Sequence, residues 1–322
     1  MQILRDTDPC PRPAEGTVLT IGAYGGVHLG HRAVIGEVRR RAAARGARSA
    51  VVTFDRHPAQ VIRPDSAPLL LTDLDQKLEL LERTGVDDAL VIHFDAERAQ
   101  ERAEDFVRRV LVDCLHAVEV VVGEDFHFGH RRLGNVGLLE EMGAASGFEV
   151  CGHKLVGPDG VAARDDAQVS STAIRRALHE GRLVEANLML GRPHEMRGPV
   201  VPGDRRGREL GFPTANVGIG PEMLMPADGI YAGWLERRDH PGSEPLPAAI
   251  YVGARPTFYD DRAMTLLEVH VLGFTGDLYG EHVGVTFTHR IRPDVRFASV
   301  DELVVQLRSD CDEARRLLGV GT

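Results

Sequence analysis

The chain has 322 residues, of which 43% are hydrophobic, and its formal net charge at pH 7 is −10. A single core rarely grows past about 250 residues, so this length predicts two domains. The acidic balance argues against a nucleic-acid partner, because phosphate backbones need a broad cationic surface, whereas a small phosphorylated ligand needs only a few local cations.

Neither a signal-peptide pattern nor a long apolar segment occurs in the sequence. Its cysteines have no CxxC spacing; they are Cys10, Cys114, Cys151 and Cys311. We therefore expect a soluble, cytoplasmic protein with reduced thiols and no membrane partner.

Short apolar runs alternate with segments of helical periodicity from residue 17 to about residue 185. The runs are VLTIG, SAVVTF, DALVIHF and AVEVVVG. Such alternation predicts an α/β domain, residues 1–186, with a doubly wound, mostly parallel sheet whose ligands bind beyond the carboxyl ends of the strands. The arginine-rich stretch RRRAAARGAR, residues 39–48, predicts the solvated face of one helix.

Glycine and proline separate short strand-like runs after about residue 190, with no helical segment between them. The runs are RGPVV, GIYAGWLERR, PAAIYVG, TLLEVHVLGF and HVGVTFTHRI. This pattern predicts a small antiparallel barrel or sandwich for residues 187–322, and we favour the barrel. A final helix begins behind a Ser299 cap, with Glu302 three residues on.

The stretch TIGAYGGVHLGH, residues 20–31, joins the first predicted strand to the first helix. Its glycines allow the backbone close to a ligand, and the following helix presents unpaired N–H groups to an anion. His28 and His31 share one helical face, where imidazoles can donate to phosphate oxygens and offset the charge on a leaving pyrophosphate. The same spacing suits a metal pair or two incidental histidines, so the motif alone leaves these interpretations open.

Three stretches resemble motifs of the bacterial bifunctional riboflavin kinase/FMN adenylyltransferases, the FAD synthetases. They are HLGH at 28–31, GEDFHFGHRRLGN at 123–135 and VSSTAIRRAL at 169–178. The resemblance runs from about residue 16 to 318. It implies a nucleotidyltransferase-like Rossmann domain for FMN adenylylation, followed by a riboflavin kinase barrel with a terminal helix.

The family pattern implies roles for residues in these motifs. His28 and His31 would contact the phosphates of ATP, Gly22 and Gly26 would shape the turn, and Asp125 would lie on the flavin side. A second helix start would complete the ATP site with neutral donors and one cation, which suits a triphosphate; its residues are Ser170, Ser171, Thr172 and Arg175. Taken alone, the serines are equally an N-cap, and the phenylalanines next to Asp125 indicate core.

The sequence departs from the family pattern within these motifs. Gly25 stands where the family usually has aspartate, which removes a carboxylate and adds backbone freedom to the turn. The other departures are Tyr24 for phenylalanine, His127 for arginine, Asn135 for aspartate and Ala173 for a larger residue.

RGPVVPGDRRGRELGFPTANV, residues 197–217, resembles the riboflavin kinase signature. Backbone N–H groups at its glycines can bind phosphates; these glycines are Gly203, Gly207 and Gly211. In the family, the Thr214 hydroxyl and the Asn216 side chain help to hold Mg²⁺ bound to ATP, and neutral oxygen ligands suit an ion whose charge is balanced by the nucleotide. Without the resemblance, PTAN indicates only a turn, and the arginines of 205–208 are candidate phosphate contacts.

Glu268 lies in TLLEVHVLGFTGDLYG, residues 265–280, on the same strand face as His270 and mainly apolar neighbours. A buried carboxylate is costly without a partner, which favours a functional role, and a register that faces the surface is the alternative. The resemblance implies that Glu268 is the general base that takes the proton from the terminal ribityl hydroxyl of riboflavin. Asp277 fits a turn residue.

The leading hypothesis is a bifunctional enzyme that phosphorylates riboflavin to FMN and transfers AMP from ATP to FMN, giving FAD and pyrophosphate. Both reactions use Mg²⁺ with ATP, and neither motif set contains a nucleophile for a covalent intermediate. Gly25 favours a second hypothesis, a riboflavin kinase with a degenerate adenylyltransferase domain. A third, a non-catalytic flavin-binding protein, predicts damage at Glu268, Thr214 and Asn216, and all three are intact.

Overall fold

The computed structural model describes residues 1–6, 9–153, 169–203, 206–253 and 265–321. The chain divides into two compact units, Met1–Ser171 and Thr172–Thr322, and each is described by itself. This division falls earlier in the chain than the predicted boundary at 186/187. The functional boundary at 186/187 stays a prediction.

The first unit is built on a six-stranded parallel sheet. The strands of this unit are β1 (Gln2–Arg5), β2 (Thr17–Ile21), β3 (Arg48–Phe54), β4 (Asp88–Ile92), β5 (Ala117–Gly123), β6 (His127–Phe128), β7 (Gly134–Asn135) and β8 (Glu149–His153). The sheet order is β1-β4-β3-β2-β5-β8, and β6 and β7 form a separate antiparallel ribbon. Every residue of β2 and β4 is buried, which explains their nearly continuous apolar runs. The predicted parallel sheet is confirmed.

Helices cover both faces of this sheet. They are α1 (Leu29–Arg45), α2 (Pro58–Ile62), α3 (Leu74–Glu82), α4 (Ala103–Phe106), which continues as a π-helix over Val107–Cys114, and α5 (Val136–Ser146). Leu111 and Leu139 pack with Val52 on one face. Ile35 packs with Val51 on the other. The sheet is therefore doubly wound, as alternating side-chain directions along β3 require.

The arginine-rich end of α1 is only partly the solvated face that its sequence predicts. Arg41 and Arg45 form ion pairs with Glu119 of β5, whose side chain is 2% exposed. Arg40 keeps 65% of its side chain exposed. The prediction is wrong for Arg41, which is only partly exposed because a carboxylate buried in β5 needs cationic partners. Arg45 pairs with the same carboxylate and stays exposed, as predicted.

The structure joins Cys10 to Cys114 in a disulfide, so the prediction of reduced thiols is wrong for this pair. Cys10 precedes β2 and Cys114 precedes β5, so the bond lies at the amino ends of two neighbouring strands. The Arg12 N–H donates to the Cys114 carbonyl at 2.9 Å and holds the same segment in place. The two cysteines are 104 positions apart, so no local spacing motif could have predicted that they pair.

The second unit contains a closed, six-stranded antiparallel barrel. Its strands are β9 (His194–Val201), β10 (Ala215–Ile219), β11 (Gly229–Arg237), β12 (Leu246–Val252), β13 (Thr265–Val271) and β14 (His282–Arg292), in the order β10-β13-β12-β11-β14-β9. Its helices are α6 (Ser171–His179), α7 (Leu183–Leu190), α8 (Arg206–Glu209) and α9 (Val300–Leu318). Asn187 of α7 donates to the Phe287 carbonyl at 2.9 Å, which ties this helix to the barrel. The predicted barrel is confirmed, and the sandwich is not formed.

The terminal helix α9 starts as predicted, with the Ser299 side chain accepting a hydrogen bond from the Glu302 N–H at 3.2 Å. Cys311 and Ala314 of α9 pack with Ala232 of β11. Within the described ranges, no helix combines the length and the apolar character needed to cross a bilayer.

Candidate active sites

Two of the predicted motifs meet at one edge of the parallel sheet. Chain order reverses between β2 and β5, because β3 and β4 lie on one side of β2 and β5 and β8 lie on the other. Ligands of open α/β sheets bind beyond the carboxyl ends of the strands at such a point. The loop after β2 leads to His28 and His31, and the segment after β5 carries Asp125.

The loop between β2 and α1 has a strained backbone. Tyr24 has φ 50° and Val27 has φ 40°, in the left-handed region that non-glycine residues rarely adopt, and Gly26 has φ 76°. The Tyr24 hydroxyl donates to Thr20 Oγ1 at 2.8 Å, and the Gly26 N–H donates to Thr72 Oγ1 at 3.3 Å. Gly26 therefore takes a backbone shape that favours glycine, and side chains on β2 and before α3 hold that shape.

Gly22 closes the other end of this loop. Its N–H donates to the Val52 carbonyl of β3 at 3.0 Å. A Cβ on Gly22 would lie 3.1 Å from the Tyr24 ring, closer than side chains normally pack. A glycine here therefore lets the loop fold tightly over the end of β2.

His28 and His31 lie side by side at the start of α1. Their rings stack with centroids 3.6 Å apart, and His28 Nδ1 accepts a hydrogen bond from the His31 N–H at 3.4 Å, which caps the helix. Nδ1 of His31 is buried and has no hydrogen-bond partner among the described residues. Burial, together with the nearby His28 and Lys77, holds the pKa of His31 well below its usual range, so the ring is neutral at physiological pH.

A neutral imidazole with an unused ring nitrogen can make one further hydrogen bond to a ligand. The pair therefore suits hydrogen bonding to phosphate oxygens. Within the described parts of the chain, no group of three or more His, Cys, Asp or Glu side chains is placed to hold a metal ion.

The motif at 169–178 reaches this loop through Ser171. The Ser171 hydroxyl donates to the Gly25 carbonyl at 3.0 Å. A Cβ on Gly30 would lie 3.2 Å from the Val169 carbonyl, so the backbone before Ser171 also approaches α1 closely.

The rest of this motif divides between the two units. Ser170 lies directly before Ser171 in the first unit, whereas Thr172, Ala173 and Arg175 lie on α6 in the second. The contribution of Ser170, Thr172 and Arg175 to an ATP site stays a prediction.

The motif after β5 forms the small ribbon of β6 and β7. Phe126 and Phe128 stack with centroids 5.4 Å apart and pack against the core, as their apolar rings alone indicate. Asp125 is exposed, and Nδ1 of His127 lies 2.7 Å from its carbonyl oxygen. Asn135 caps α5 by accepting a backbone N–H at 3.0 Å, so this departure from aspartate retains a capping side chain. A flavin contact at Asp125 stays a prediction.

Lys77 of α3 also holds the histidine loop, and no motif pointed to it. Lys77 is only 7% exposed. Its ammonium donates to the Phe54 carbonyl at 2.7 Å and to the Ala23 carbonyl at 3.4 Å. Composition is the signal that could have found it: the chain has 36 arginines and only two lysines, Lys77 and Lys154.

In the second unit, the predicted phosphate loop packs tightly against its own surroundings. A Cβ at Gly203 would collide with the Asn216 amide, and one at Gly207 would collide with the Phe212 carbonyl. Gly211 has φ 85°, which favours glycine. These three positions therefore need glycine for close approach or for backbone shape, which is compatible with a loop that brings N–H groups to a phosphate.

Thr214 lines a cleft on the barrel. The side chains lining this cleft include Arg208, Thr214, Val269, Phe274, Asp277 and Tyr279. Nδ1 of His270 lies 2.8 Å from the Pro213 carbonyl and fixes the backbone next to Thr214. Asp277 accepts the Tyr279 N–H at 3.0 Å, so it is the turn residue that the sequence predicts. Of the arginines in 205–208, Arg208 lines this cleft. Residue 205 lies outside the described residues.

Glu268 lies on β13, between β10 and β12. The strand register sets it opposite Asn216 on one side and Tyr251 on the other, so the three side chains share one face of the barrel wall. Glu268 is half-buried, whereas its neighbours Leu267 and Val269 are fully buried in the barrel. The carboxylate therefore faces away from the barrel interior, as in the surface-facing register that the sequence left as the alternative. It lies next to Asn216 of β10.

The two units together define a class of protein that handles phosphorylated ligands at two places. One is a helix start at the switch point of a parallel sheet, and the other is a glycine-rich loop beside a carboxylate on a closed barrel.

Comparison with known proteins agrees with this class in both units. Residues 10–173 match the FAD synthetase family model, and residues 190–318 match the riboflavin kinase family model. The chain is 39% identical over 308 residues to the bifunctional riboflavin kinase/FMN adenylyltransferase of Escherichia coli (strain K12), with 96% of this chain and 95% of that protein covered. It is 35% identical over 315 residues to the protein of that name from Haemophilus influenzae, with 98% of each covered.

A crystal structure described as a macrolide-efflux protein from Streptococcus pneumoniae matches with a TM-score of 0.82 at 29% identity, over 98% of this chain and 99% of that one. The chain belongs to the bifunctional riboflavin kinase/FMN adenylyltransferase family. By homology it has both activities, riboflavin kinase and FMN adenylyltransferase.

Proposed function

We propose that Glu268 carries the kinase reaction and that His28 and His31 carry the adenylyltransferase reaction. The observation that carries the proposal is the buried, unpartnered Nδ1 of His31 in a stacked histidine pair at a helix start. Such a group can serve a ligand without first breaking an internal hydrogen bond. Both reactions consume ATP, and the proposed location of the enzyme is the cytoplasm.

In the kinase reaction, Glu268 takes the proton from the terminal ribityl hydroxyl of riboflavin, and that oxygen attacks the γ-phosphorus of ATP in line. A half-buried carboxylate on the outer face of the barrel wall is accessible to a substrate and still partly shielded from water. Backbone N–H groups around Gly203, Gly207 and Gly211 bind the phosphates and stabilise the charge that spreads over them.

The residues present fit a magnesium ion at Thr214 and Asn216. The Asn216 amide lies against Gly203, in a space that any Cβ at that position would fill, so the loop and the amide share one cradle. A hydroxyl and an amide oxygen are neutral ligands, which suit Mg²⁺ that takes its remaining ligands from water and nucleotide phosphates. When bound, Mg²⁺ would neutralise charge on the phosphates of ATP.

In the adenylyltransferase reaction, a phosphate oxygen of FMN attacks the α-phosphorus of ATP, and pyrophosphate leaves. His28, His31 and the first N–H groups of α1 hydrogen-bond the phosphates and stabilise the charge on the leaving group. Because His31 is neutral, it acts as a hydrogen-bonding group rather than as a cation. Ser170 and Ser171 complete the site within the first unit, Thr172 and Arg175 stay sequence predictions for ATP binding, and Asp125 contacts the flavin side.

The shape of the histidine loop does not require a carboxylate at residue 25, which favours the bifunctional hypothesis over the degenerate domain. Ser171 binds Gly25 through its main-chain carbonyl, a contact that any residue can make. The contacts of Tyr24 with Thr20 and of Gly26 with Thr72 hold the remainder of the turn. We therefore propose that FAD synthesis tolerates Gly25.

A chromatographic time course tests this function. Purified protein is incubated with Mg²⁺ and ATP plus either riboflavin or FMN, and the three flavins are separated. FAD should form from both substrates, whereas formation of FMN alone from riboflavin and nothing from FMN would establish the degenerate-domain alternative.

Two substitutions assign the sites. Glu268→Gln should lower FMN formation by about 10²- to 10⁴-fold, the usual contribution of a general base, and leave FAD formation from supplied FMN unchanged. His28→Ala should lower only FAD formation, by about 10²-fold or more. Each variant is the folding control for the other, and loss of both activities in either one would contradict the separate assignment.

A further inference from the structure

Lys77 is a chemical exception in this chain. The protein uses arginine for 36 of its 38 Lys and Arg positions, and Lys154, the other lysine, lies outside the described residues. Lysine carries a compact ammonium with three donors, whereas arginine carries a broad planar fork. A buried position that needs donors in three directions around one atom therefore needs lysine.

The contacts of Lys77 have this arrangement. Its Nζ donates to the Phe54 carbonyl at 2.7 Å, to the Ala23 carbonyl at 3.4 Å and to Thr53 Oγ1 at 3.5 Å. Thr53 and Phe54 end β3, and Ala23 belongs to the loop that leads to His28. One ammonium thus links the histidine loop to the carboxyl end of the neighbouring strand.

This link is not explained by stability. No carboxylate among the described residues lies within ion-pair distance of Lys77, and burial lowers its pKa to about 8. The fold therefore disfavours the charged amine that it contains. A costly buried group at the edge of a ligand site indicates a functional constraint.

Lys77 also lies close enough to His31 to act on it. Its positive charge is one of the causes, after burial and His28, that keep the His31 ring neutral. The ammonium thus fixes the loop backbone before the histidines and favours the neutral form of one of them.

We propose that Lys77 is a positioning residue for adenylyl transfer, which holds the Ala23 backbone so that His28 and His31 face the phosphates of ATP. This inference deepens the adenylyltransferase assignment and rests on it. Lys77 itself need not touch ATP, because it acts through the loop.

The test compares Lys77→Met, Lys77→Arg and the control Arg83→Met in the full chain. Arg83→Met removes an exposed cation from the end of the same helix. Lys77→Met should lower kcat for FAD formation from FMN by about 10- to 100-fold, as expected for a small misplacement of catalytic groups, with KM for ATP changed less than kcat. Lys77→Arg should not restore kcat, and Arg83→Met should match the wild type.

Riboflavin kinase activity and thermal unfolding separate positioning from folding. Riboflavin kinase activity should stay close to wild type in Lys77→Met, and its unfolding midpoint should not fall, because the cost of burying the charge is removed. A merely structural lysine would instead lower the unfolding midpoint and leave kcat intact below it. If Lys77→Met does not fold, Lys77→Gln, whose amide can still donate to the Phe54 carbonyl, takes its place with the same expected loss of kcat. Near-wild-type kcat in the folded variant overturns the inference, whereas a wild-type protein that makes no FAD from FMN overturns the proposed function.

Discussion

Replacing Lys77 by methionine should change how the stability of the first unit depends on pH. Burial lowers the pKa of Lys77 from its ordinary value of 10.5 to about 8, and the nearby Asp55 carboxylate offsets only part of this shift. Between about pH 8 and pH 10.5, the unfolded chain therefore holds more protons at this position than the folded chain. The free energy of unfolding of the wild type rises with pH through that window, and below it the cost of burying the charge is fully present.

The magnitude follows from the two pKa values. A tenfold change in an ionisation equilibrium is worth about 1.4 kcal/mol, so burying the charged amine costs about 3 kcal/mol below pH 8. Raising the pH from about 7 to about 9.5 should recover about 2 kcal/mol of that cost. The methionine variant lacks this contribution, and all other titrating groups are common to both proteins.

Urea unfolding at a series of pH values measures the effect. Trp234, the chain's single tryptophan, lies on β11, so its fluorescence follows the second unit, while far-UV circular dichroism follows both. We compare the free energy of unfolding of the first unit in Lys77→Met and in the wild type. The value for the variant minus that for the wild type should fall by about 2 kcal/mol between about pH 7 and about pH 9.5. Arg83→Met should run parallel to the wild type. A difference between Lys77→Met and the wild type that stays constant with pH would refute the reasoning.

Three further predictions concern other positions. Gly25→Asp should fold normally, because Gly25 lies outside the left-handed region, and should raise FAD formation severalfold without changing FMN formation in the flavin chromatography assay. Glu119→Gln should lower the unfolding free energy by about 2 kcal/mol, less than the usual 3–5 kcal/mol because its partly exposed arginine partners can turn to water. An unchanged unfolding free energy in Glu119→Gln would contradict the ion-pair explanation. Cys10→Ser should lower the melting temperature under oxidising conditions only, and a wild-type melting temperature that ignores reductant would show that the disulfide adds no stability.

The sequence was most informative where local pattern and burial agree. The central strands of the parallel sheet are apolar runs in the sequence because both their faces are covered. The sequence did not predict β1 and β8, which lie at the edges of the sheet and have the mixed sequences QILR and EVCGH. Alternation along β13 identified the face of Glu268 but could not decide which face lies inside the barrel. That choice depends on pairing with β10 and β12, which are distant in sequence.

The burial of charged residues was the main feature that the sequence did not reveal. Helical periodicity treats Lys77 as a polar surface residue, and only contacts with the end of β3 and with the loop after β2 show why it is buried. Glu119 inside an apolar strand and its arginines on α1 are 78 and 74 positions apart, so neither end of the ion pair could be recognised locally. In each case a contact between residues far apart in the sequence determines the burial of the side chain, and the local sequence pattern does not show that contact.

The left-handed residues Tyr24 and Val27 have a consequence for how ATP binds. A non-glycine residue in this region costs about 1–3 kcal/mol, and here that strain is present before any nucleotide arrives, because side-chain and main-chain contacts already fix the loop. Little conformational entropy is then left to lose when ATP binds, which favours affinity through preorganisation rather than through additional contacts. The amide hydrogens of Gly26 and Val27, which donate to Thr72 Oγ1 and to the Tyr24 carbonyl, should accordingly exchange slowly in the nucleotide-free enzyme, with little further protection on adding ATP.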